Sequence, residues 1–231
     1  MYAKFFKRII DFTLSLIALL ILSPILLILA IIGAIAMRGN PFFVQLRPGK
    51  VNKKTGKEKI FKLIKFRTMS NAKDKEGNFL SDDVRLNKYG NMLRKTSLDE
   101  LPELLNILIG DMSIVGPRPQ LVRDMVFMTK EQRARHSIRP GLTGLAQVSG
   151  RNNITWEEKF DFDLEYMKKI TLFGDIKIIF RTVGKVFKGS DVVREGTVSD
   201  MDFGDWLLSE GKVDKETYEA KQAEAKDILK D

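Results

Sequence analysis

The sequence predicts an α+β, mostly helical fold seated on a membrane: a monotopic protein with a re-entrant N-terminal helix, a small β-hairpin and amphipathic interface helices. Three observations carry that expectation. Residues 12–37 hold no charged side chain and are bracketed by Lys4, Lys7 and Arg8 before and Arg38 after. Two short segments, 42–47 and 60–69, read as strands, the second alternating apolar and basic residues. Residues 170–188 place apolar side chains on one side of a helix and Lys177, Arg181, Lys185 and Lys188 on another.

The apolar run exceeds the length a membrane helix needs. It is too long for a signal-peptide core, and no Ala-x-Ala-like site follows it. Ser23-Pro24 falls near its middle, where proline removes a ladder hydrogen bond and kinks the backbone. Lysine and arginine favour the cytoplasmic side, and both flanks are basic. A helix–break–helix that dips in and returns keeps both flanks inside, with Ser23 helping to satisfy the freed backbone groups. The expectation is therefore a re-entrant unit over residues 1–39 broken at Ser23-Pro24, a body over 40–195 at the interface, and an acidic tail over 196–231.

Asn40-Pro41 ends the membrane unit, and the two strands can pair as a hairpin across the basic loop 50–59. Lys62 and Lys65 fall on opposite faces if the alternation is strict. Residues 71–83 read as a surface loop, 84–95 as a short helix presenting Arg94, and 121–135 as a further helix. Residues 160–169 form a helix bearing Asp161, Asp163 and Glu165. The segment 170–188 suits a helix lying in the membrane interface and equally one packed on the core. From Asp200 to Asp231 the chain carries ten acidic and five basic residues, so the rest is strongly basic.

The chain has 231 residues, 39 Lys and Arg against 30 Asp and Glu, one His and no Cys. The absence of cysteine excludes thiolate catalysis, disulfides and Cys-ligated metals. A basic body suits polyanionic partners such as anionic lipid headgroups or nucleotide phosphates. It also suits nucleic acid, but no recognition helix or RNA motif is present, and no nucleic-acid partner is expected.

The densest chemistry lies in residues 96–119, TSLDELPELLNILIGDMSIVGPRP. Ser97 with Glu100 reads as a capping box, while Pro102 argues for a later helix start. On either reading Asp99 and Glu100 sit at the N-terminal end of a helix, where carboxylates are common for capping alone. Gly116-Pro117-Arg118-Pro119 is a stiff loop that fixes one guanidinium, a geometry suited to phosphate. Carboxylates beside arginines suit phosphoryl chemistry with a divalent cation. Downstream, RPGLTGLAQVSGRN supplies three glycines with arginines at both ends, without the spacing of a P-loop or dinucleotide motif. His136 lacks a visible triad partner and is not expected to act in catalysis.

Together, LDELPELLNILIGDMSIVGPRP, RPGLTGLAQVSGRN and Lys65-Phe66-Arg67-Thr68-Met69 make the chain resemble the bacterial sugar transferase family, from about residue 4 to about residue 195. These are small monotopic phosphoglycosyl transferases that start glycoconjugate assembly on a polyprenol phosphate. The resemblance implies transfer of a phosphosugar from a UDP-sugar to polyprenol (undecaprenyl) phosphate with release of UMP. It further implies a covalent intermediate on Asp99, which spacing alone does not distinguish from direct in-line transfer. By resemblance Mg²⁺ is the cofactor with Asp99 as its ligand, and Glu100 either helps deprotonate the acceptor or positions the metal. Lys65, Arg94, Arg118, Arg151 and Gln147 are the implied substrate-binding residues, with Asp163 orienting Lys65 or the metal. The implied place is the bacterial inner membrane, with the catalytic domain on the cytoplasmic face and membrane lipids as partners. Similarity to the Campylobacter-type protein N-glycosylation enzyme points to an N-acetylated sugar. The competing reading is a non-catalytic basic protein of the membrane surface, which leaves the Gly-Pro-Arg-Pro loop and the glycine block without a role.

Overall fold

The computed structural model describes residues 1–150, 154–188 and 201–230. Helix α1 (Phe6–Ala36) is a single uninterrupted helix with Pro24 inside it. The expected break at Ser23-Pro24 is therefore corrected to an accommodated proline. Pro24 cannot donate to the carbonyl of Leu20, and the Ser23 hydroxyl donates to that oxygen instead, at 2.8 Å. The freed acceptor is satisfied, so the ladder closes over the gap.

One stripe of α1 packs on the body and the rest is bare. Asp11, Ser15, Leu29 and Gly33 are buried, and Ala18, Leu19, Leu22, Leu26 and Ala30 pack between them. These positions recur every three or four residues, which is one helix face. Ile9, Ile17, Leu20, Ile21, Leu27, Ile28, Ile31 and Ile35 remain exposed. Both ends of the helix are tied to the same body. Near the start, Lys7 pairs with Asp175 at 2.6 Å and Arg8 donates to the carbonyls of Ile107 and Leu108. Near the end, the Tyr89 hydroxyl donates to the Leu29 carbonyl at 2.7 Å and Asn87 to that of Ala36.

Strands β1 (Phe42–Val51) and β2 (Glu58–Phe66) form the expected antiparallel hairpin, with Phe42 opposite Phe66 and Leu46 opposite Lys62. Phe61 and Leu63 turn inward to Leu104, Ile107 and Met112, over Ala18, Leu19 and Leu22 of α1. Full burial of each such side chain contributes about 1.5–3 kcal/mol. Lys62 is exposed and Lys65 half-buried, as alternation requires. A one-turn helix α2 (Asp82–Arg85) precedes α3 (Lys88–Thr96), whose Asn87 side chain accepts from the Gly90 amide as N-cap. Gly90 lies flat on the Thr68 carbonyl, where an added Cβ would collide.

Helix α4 (Glu103–Ile109) runs under the hairpin. Its buried Asn106 accepts from the Ile64 amide and donates to the Lys62 carbonyl, acting as a short stand-in strand beside β2. Strand β3 (Ser113–Val115) follows. The helix expected over 121–135 is instead two single turns, α5 (Val122–Met125) and α6 (Lys130–Arg133), and a 3-10 turn. Thr129 restarts the chain with its own capping box to Gln132, so the backbone cannot run through. Strand β4 (Gly141–Thr143) pairs with β3 in parallel. Helices α7 (Leu145–Ser149), α8 (Trp156–Lys168) and α9 (Leu172–Lys188) complete the body.

The acidic tail also folds onto the body. Helix α10 (Phe203–Ser209) inserts Phe203 between Trp156 and Phe160 and against Met128, and α11 (Lys215–Ile228) buries Ala225 against Val122 and Met125. Asp124 holds the junction, accepting from the amides of Phe203 and Leu121.

Candidate active site

The chain between α3 and α4 sets the two carboxylates. Ser97 takes a left-handed conformation at φ 56°, unusual for a residue with a side chain, and turns the chain sharply out of α3. Leu98–Glu100 form a 3-10 turn, and α4 begins only after Pro102. The Ser97–Glu100 capping box does not form, and the later start that Pro102 favours is the one adopted. Glu100 is thereby released from capping and reaches across to the hairpin and the Gly-Pro-Arg-Pro loop.

There, the Lys65 ammonium from β2 lies 2.9 Å from Glu100 Oε1 and 3.0 Å from Glu103 Oε1. The Arg118 guanidinium closes on the same Glu100 oxygen at 2.7 Å. Burial alone would raise Glu100, but Arg118 and Lys65 outweigh it and hold the carboxyl far below the ordinary range. The same pairing holds Arg118 more firmly charged. Burial also works against the Lys65 ammonium, yet Glu100 and Glu103 leave its pKa raised. Glu103 is nine-tenths hidden from solvent and pushed up to about 7 by that burial. Asp99 has no hydrogen bond or salt bridge among the described residues. Burial, and then the Glu100 charge beside it, push Asp99 up to about 6.

Two loops converge on this pair because β3 and β4 lie side by side. Gly116 donates to the Thr143 carbonyl at 2.8 Å, and Gly141 donates to that of Pro117 at 2.9 Å. An added Cβ at Gly141 or Gly144 would strike the Gly116 backbone. The glycines of the second motif thus permit close packing on the first. Arg135, fully buried, donates to the Arg118 carbonyl at 2.6 Å and pairs with Asp163 of α8 at 2.6 Å. That corrects the Lys65 alternative for Asp163: it braces Arg135, and through it the Arg118 loop, while Lys65 pairs with Glu100 and Glu103. Arg139 donates to the Gly110 carbonyl at the end of α4.

Asp99, Glu100, Lys65, Arg94, Arg118 and Gln147 all line one cavity of about 1220 Å³. Arg94 reaches it from α3, donating to the Thr68 hydroxyl at 3.1 Å. Gln147 donates to the Leu142 carbonyl, and its side-chain oxygen is buried without a partner among the described residues. Asp163 touches the same space. Arg151 lies outside the described residues. His136 is buried against Glu58 at 3.1 Å, and desolvation lowers its pKa; it does not line the cavity.

The sequence reading missed Glu103, Arg135 and Arg47. Glu103 stands one helical turn after Glu100, a spacing that was available as a signal. Nothing local distinguishes Arg135 or Arg47. Among the described residues no cluster of three or more His, Cys, Asp or Glu side chains could hold a metal. Asp99 and Glu100 nevertheless suit Mg²⁺, which takes one or two carboxylates and completes its shell with water and substrate phosphates.

Residues 2–189 match the model of a family described as bacterial sugar transferase. The chain is 42% identical over 193 residues to EpsL of Bacillus subtilis, an uncharacterised sugar transferase, covering 84% of this chain and 93% of that protein. It is 38% identical over 190 residues to the UDP-glucose:undecaprenyl-phosphate glucose-1-phosphate transferase of Klebsiella pneumoniae, covering 79% of this chain and 40% of that longer protein. ExoY of Rhizobium meliloti, an exopolysaccharide production protein, is 36% identical over 197 residues, with 78% and 84% covered.

Proposed function

Because this chain belongs to the bacterial sugar transferase family, we propose that it is a phosphoglycosyl transferase moving a phosphosugar from a UDP-sugar to undecaprenyl phosphate, with release of UMP. The observation that carries the reading is the unpaired Asp99 carboxylate beside a Glu100 clamped by Lys65 and Arg118, in a cavity walled by the bilayer-seeking helix's own body. A non-catalytic membrane-surface protein has no use for that arrangement.

In the first step an Asp99 oxygen attacks the β-phosphorus of the donor. A phosphorus–oxygen bond to Asp99 forms, the bond to the oxygen bridging the α-phosphate breaks, and UMP departs with the electron pair. In the second, an oxygen of undecaprenyl phosphate attacks the same phosphorus and Asp99 leaves as carboxylate. Covalent catalysis by a carboxylate gives ping-pong kinetics. Arg118 and Lys65 neutralise charge on the transferring group, their own charges held ready by Glu100. Glu100 works as a fixed anion that orients these cations and the metal, because two cations keep it ionised and unsuited to take a proton. Bound at Asp99, Mg²⁺ would neutralise diphosphate charge.

The placement is monotopic, at the cytoplasmic face of the inner membrane. Lys7 and Arg8 at one end of α1, and Leu29 and Ala36 near the other, are bound to one body, which disfavours opposite sides of a bilayer. Phe173, Ile176, Phe180 and Val183 of α9 stay exposed at three- and four-residue spacing, supporting a second interfacial helix. The donor sugar is read as N-acetylated, although the Klebsiella pneumoniae relative is named for UDP-glucose.

The test is UMP release from a panel of UDP-sugars by detergent-solubilised protein, with and without undecaprenyl phosphate, Mg²⁺ and Asp99→Asn. Acceptor- and Mg²⁺-dependent UMP, lost on substitution, is expected. Substantial turnover in Asp99→Asn would leave direct transfer in place of the covalent route.

A further inference from the structure

The cavity holds a guanidinium that neither the sequence motifs nor the mechanism above employ. Arg47, on β1, lines it next to Arg118. Its Nη2 donates to the Gln45 side-chain oxygen at 2.6 Å and its Nη1 to the Pro119 carbonyl at 3.2 Å. Its Nε is buried with no partner among the described residues. Among the described residues Arg47 forms no salt bridge, so both of its partners are neutral oxygens.

Three nearby cations have acidic partners. Lys65 has Glu100 and Glu103, Arg118 has Glu100, and Arg135 has Asp163. Arg47 has instead a like charge beside it, with Asp124, Glu103 and Asp202 too far off to pair. Burial and the Arg118 charge together pull its pKa down to about 10. A desolvated cation with only neutral partners is unfavourable unless an anion joins it. If Arg47 served only as a strut to the Pro119 carbonyl, any neutral donor would do, without that cost.

We infer that Arg47 binds a phosphate oxyanion of a substrate, beside the group that Arg118 holds. The inference rests on the phosphoglycosyl transferase reading. Phosphate can come from the donor's diphosphate or from the acceptor's monophosphate, and a planar guanidinium suits either. No bond to Arg47 forms or breaks, so it is a binding residue that fixes the substrate's position for Asp99.

The experiment compares wild-type full-length protein with Arg47→Gln and Arg47→Lys in detergent. Calorimetric binding of UDP is measured together with KM for the UDP-sugar, KM for undecaprenyl phosphate, kcat and the melting temperature. Loss of a charge-assisted hydrogen bond predicts weakening of about 10- to 100-fold in Arg47→Gln. If the donor diphosphate is the ligand, UDP binding weakens and donor KM rises. If the acceptor is the ligand, UDP binding holds and acceptor KM rises. Either result supports the inference, with partial recovery in Arg47→Lys. Unchanged UDP affinity and unchanged KM for both substrates overturns it, as does a kcat loss alone that tracks a lowered melting temperature. Should Arg47→Gln fail to fold, Arg47→Lys decides, since lysine cannot reproduce the fork and wild-type-like values there also overturn it. Wild-type protein that neither binds UDP nor releases UMP would remove the transferase reading and this inference with it. A wild type that does both, beside unaffected variants, removes only the role of Arg47.

Discussion

Asp99 and Glu100 are adjacent in the chain, yet their carboxylates stand in opposite electrostatic states. Glu100 shares one oxygen between Lys65 at 2.9 Å and Arg118 at 2.7 Å, whereas Asp99 has no partner among the described residues. Ser97's left-handed turn and Pro102's late helix start place them so. A nucleophile gains from being unclamped, and a charge-positioning group gains from being held.

The first prediction is an acidic limb in the rate. In the proposed covalent route Asp99 must be ionised to attack, and its carboxyl is pushed up to about 6. Below that value the rate of UMP release should fall about tenfold per pH unit, and above it the rate should level. A single-turnover burst without acceptor removes the acceptor phosphate's own titration from the profile. In Glu100→Gln the neighbouring negative charge is gone, so the limb should move to lower pH even though the rate is reduced. A limb that stays in place would show that Glu100 does not set the Asp99 charge.

Lys65 joins stability to chemistry. Its side chain is 17% exposed and Glu103's is 4%, so the pair is largely out of solvent. Lys65→Met strands Glu103 and leaves Glu100 with Arg118 alone. Removing one partner of a buried pair costs about 3–5 kcal/mol, seen as a lower melting temperature. Activity should fall by about 100-fold or more, as when a preorganised charge is lost. Adding Glu103→Gln should restore most of the stability and none of the activity. Recovery of both would make Lys65 a structural residue only.

What was legible in the sequence is what local chemistry fixes. The apolar character of α1, the hairpin and the stiffness of Gly-Pro-Arg-Pro follow from patterns within a few residues of one another. The parts that escaped are non-local or finely balanced. Ser23 offered a hydroxyl one residue before Pro24, but whether it would bridge a break or heal it depends on how the helix packs. Asp163 resembled an active-site acid in its motif, yet its partner, Arg135, lies 28 positions upstream on a turn that was read as continuous helix. Gly141 and Gly144 pack against Gly116, an approach between segments that no local pattern announces. Arg47 carries no motif at all.

The tail offers a third prediction. The family match ends at residue 189, but Phe203 is buried at ring-centroid distances of 5.2 Å from Trp156 and 5.1 Å from Phe160. Met201 and Asp202 reach the cavity wall. Phe203→Ala opens a core cavity and should cost about 3–5 kcal/mol. The chain has two tryptophans, so in a Trp206→Phe background Trp156 reports alone. Its emission should shift to the red in Phe203→Ala, with an earlier melt. Unchanged emission and melting would mean that α10 is not what covers this cluster.

The last prediction concerns how α1 meets the bilayer. It has 31 residues and, at about 1.5 Å per residue, is longer than a hydrocarbon core of about 30 Å. Length therefore permits a span, and it is the basic flanks and the tethers at its two ends that argue otherwise. Lys7 is held by Asp175 near its start and Leu29 by Tyr89 near its end, and Asp175 and Tyr89 belong to one folded body. That body cannot lie on both sides of a membrane. The chain contains no cysteine, so Lys4→Cys and Arg38→Cys each give a single label site, and both positions are exposed. An impermeant maleimide should modify both in inverted vesicles and neither in intact spheroplasts. Labelling of the two from opposite sides would require α1 to leave the body it is packed on, and the monotopic reading would fall.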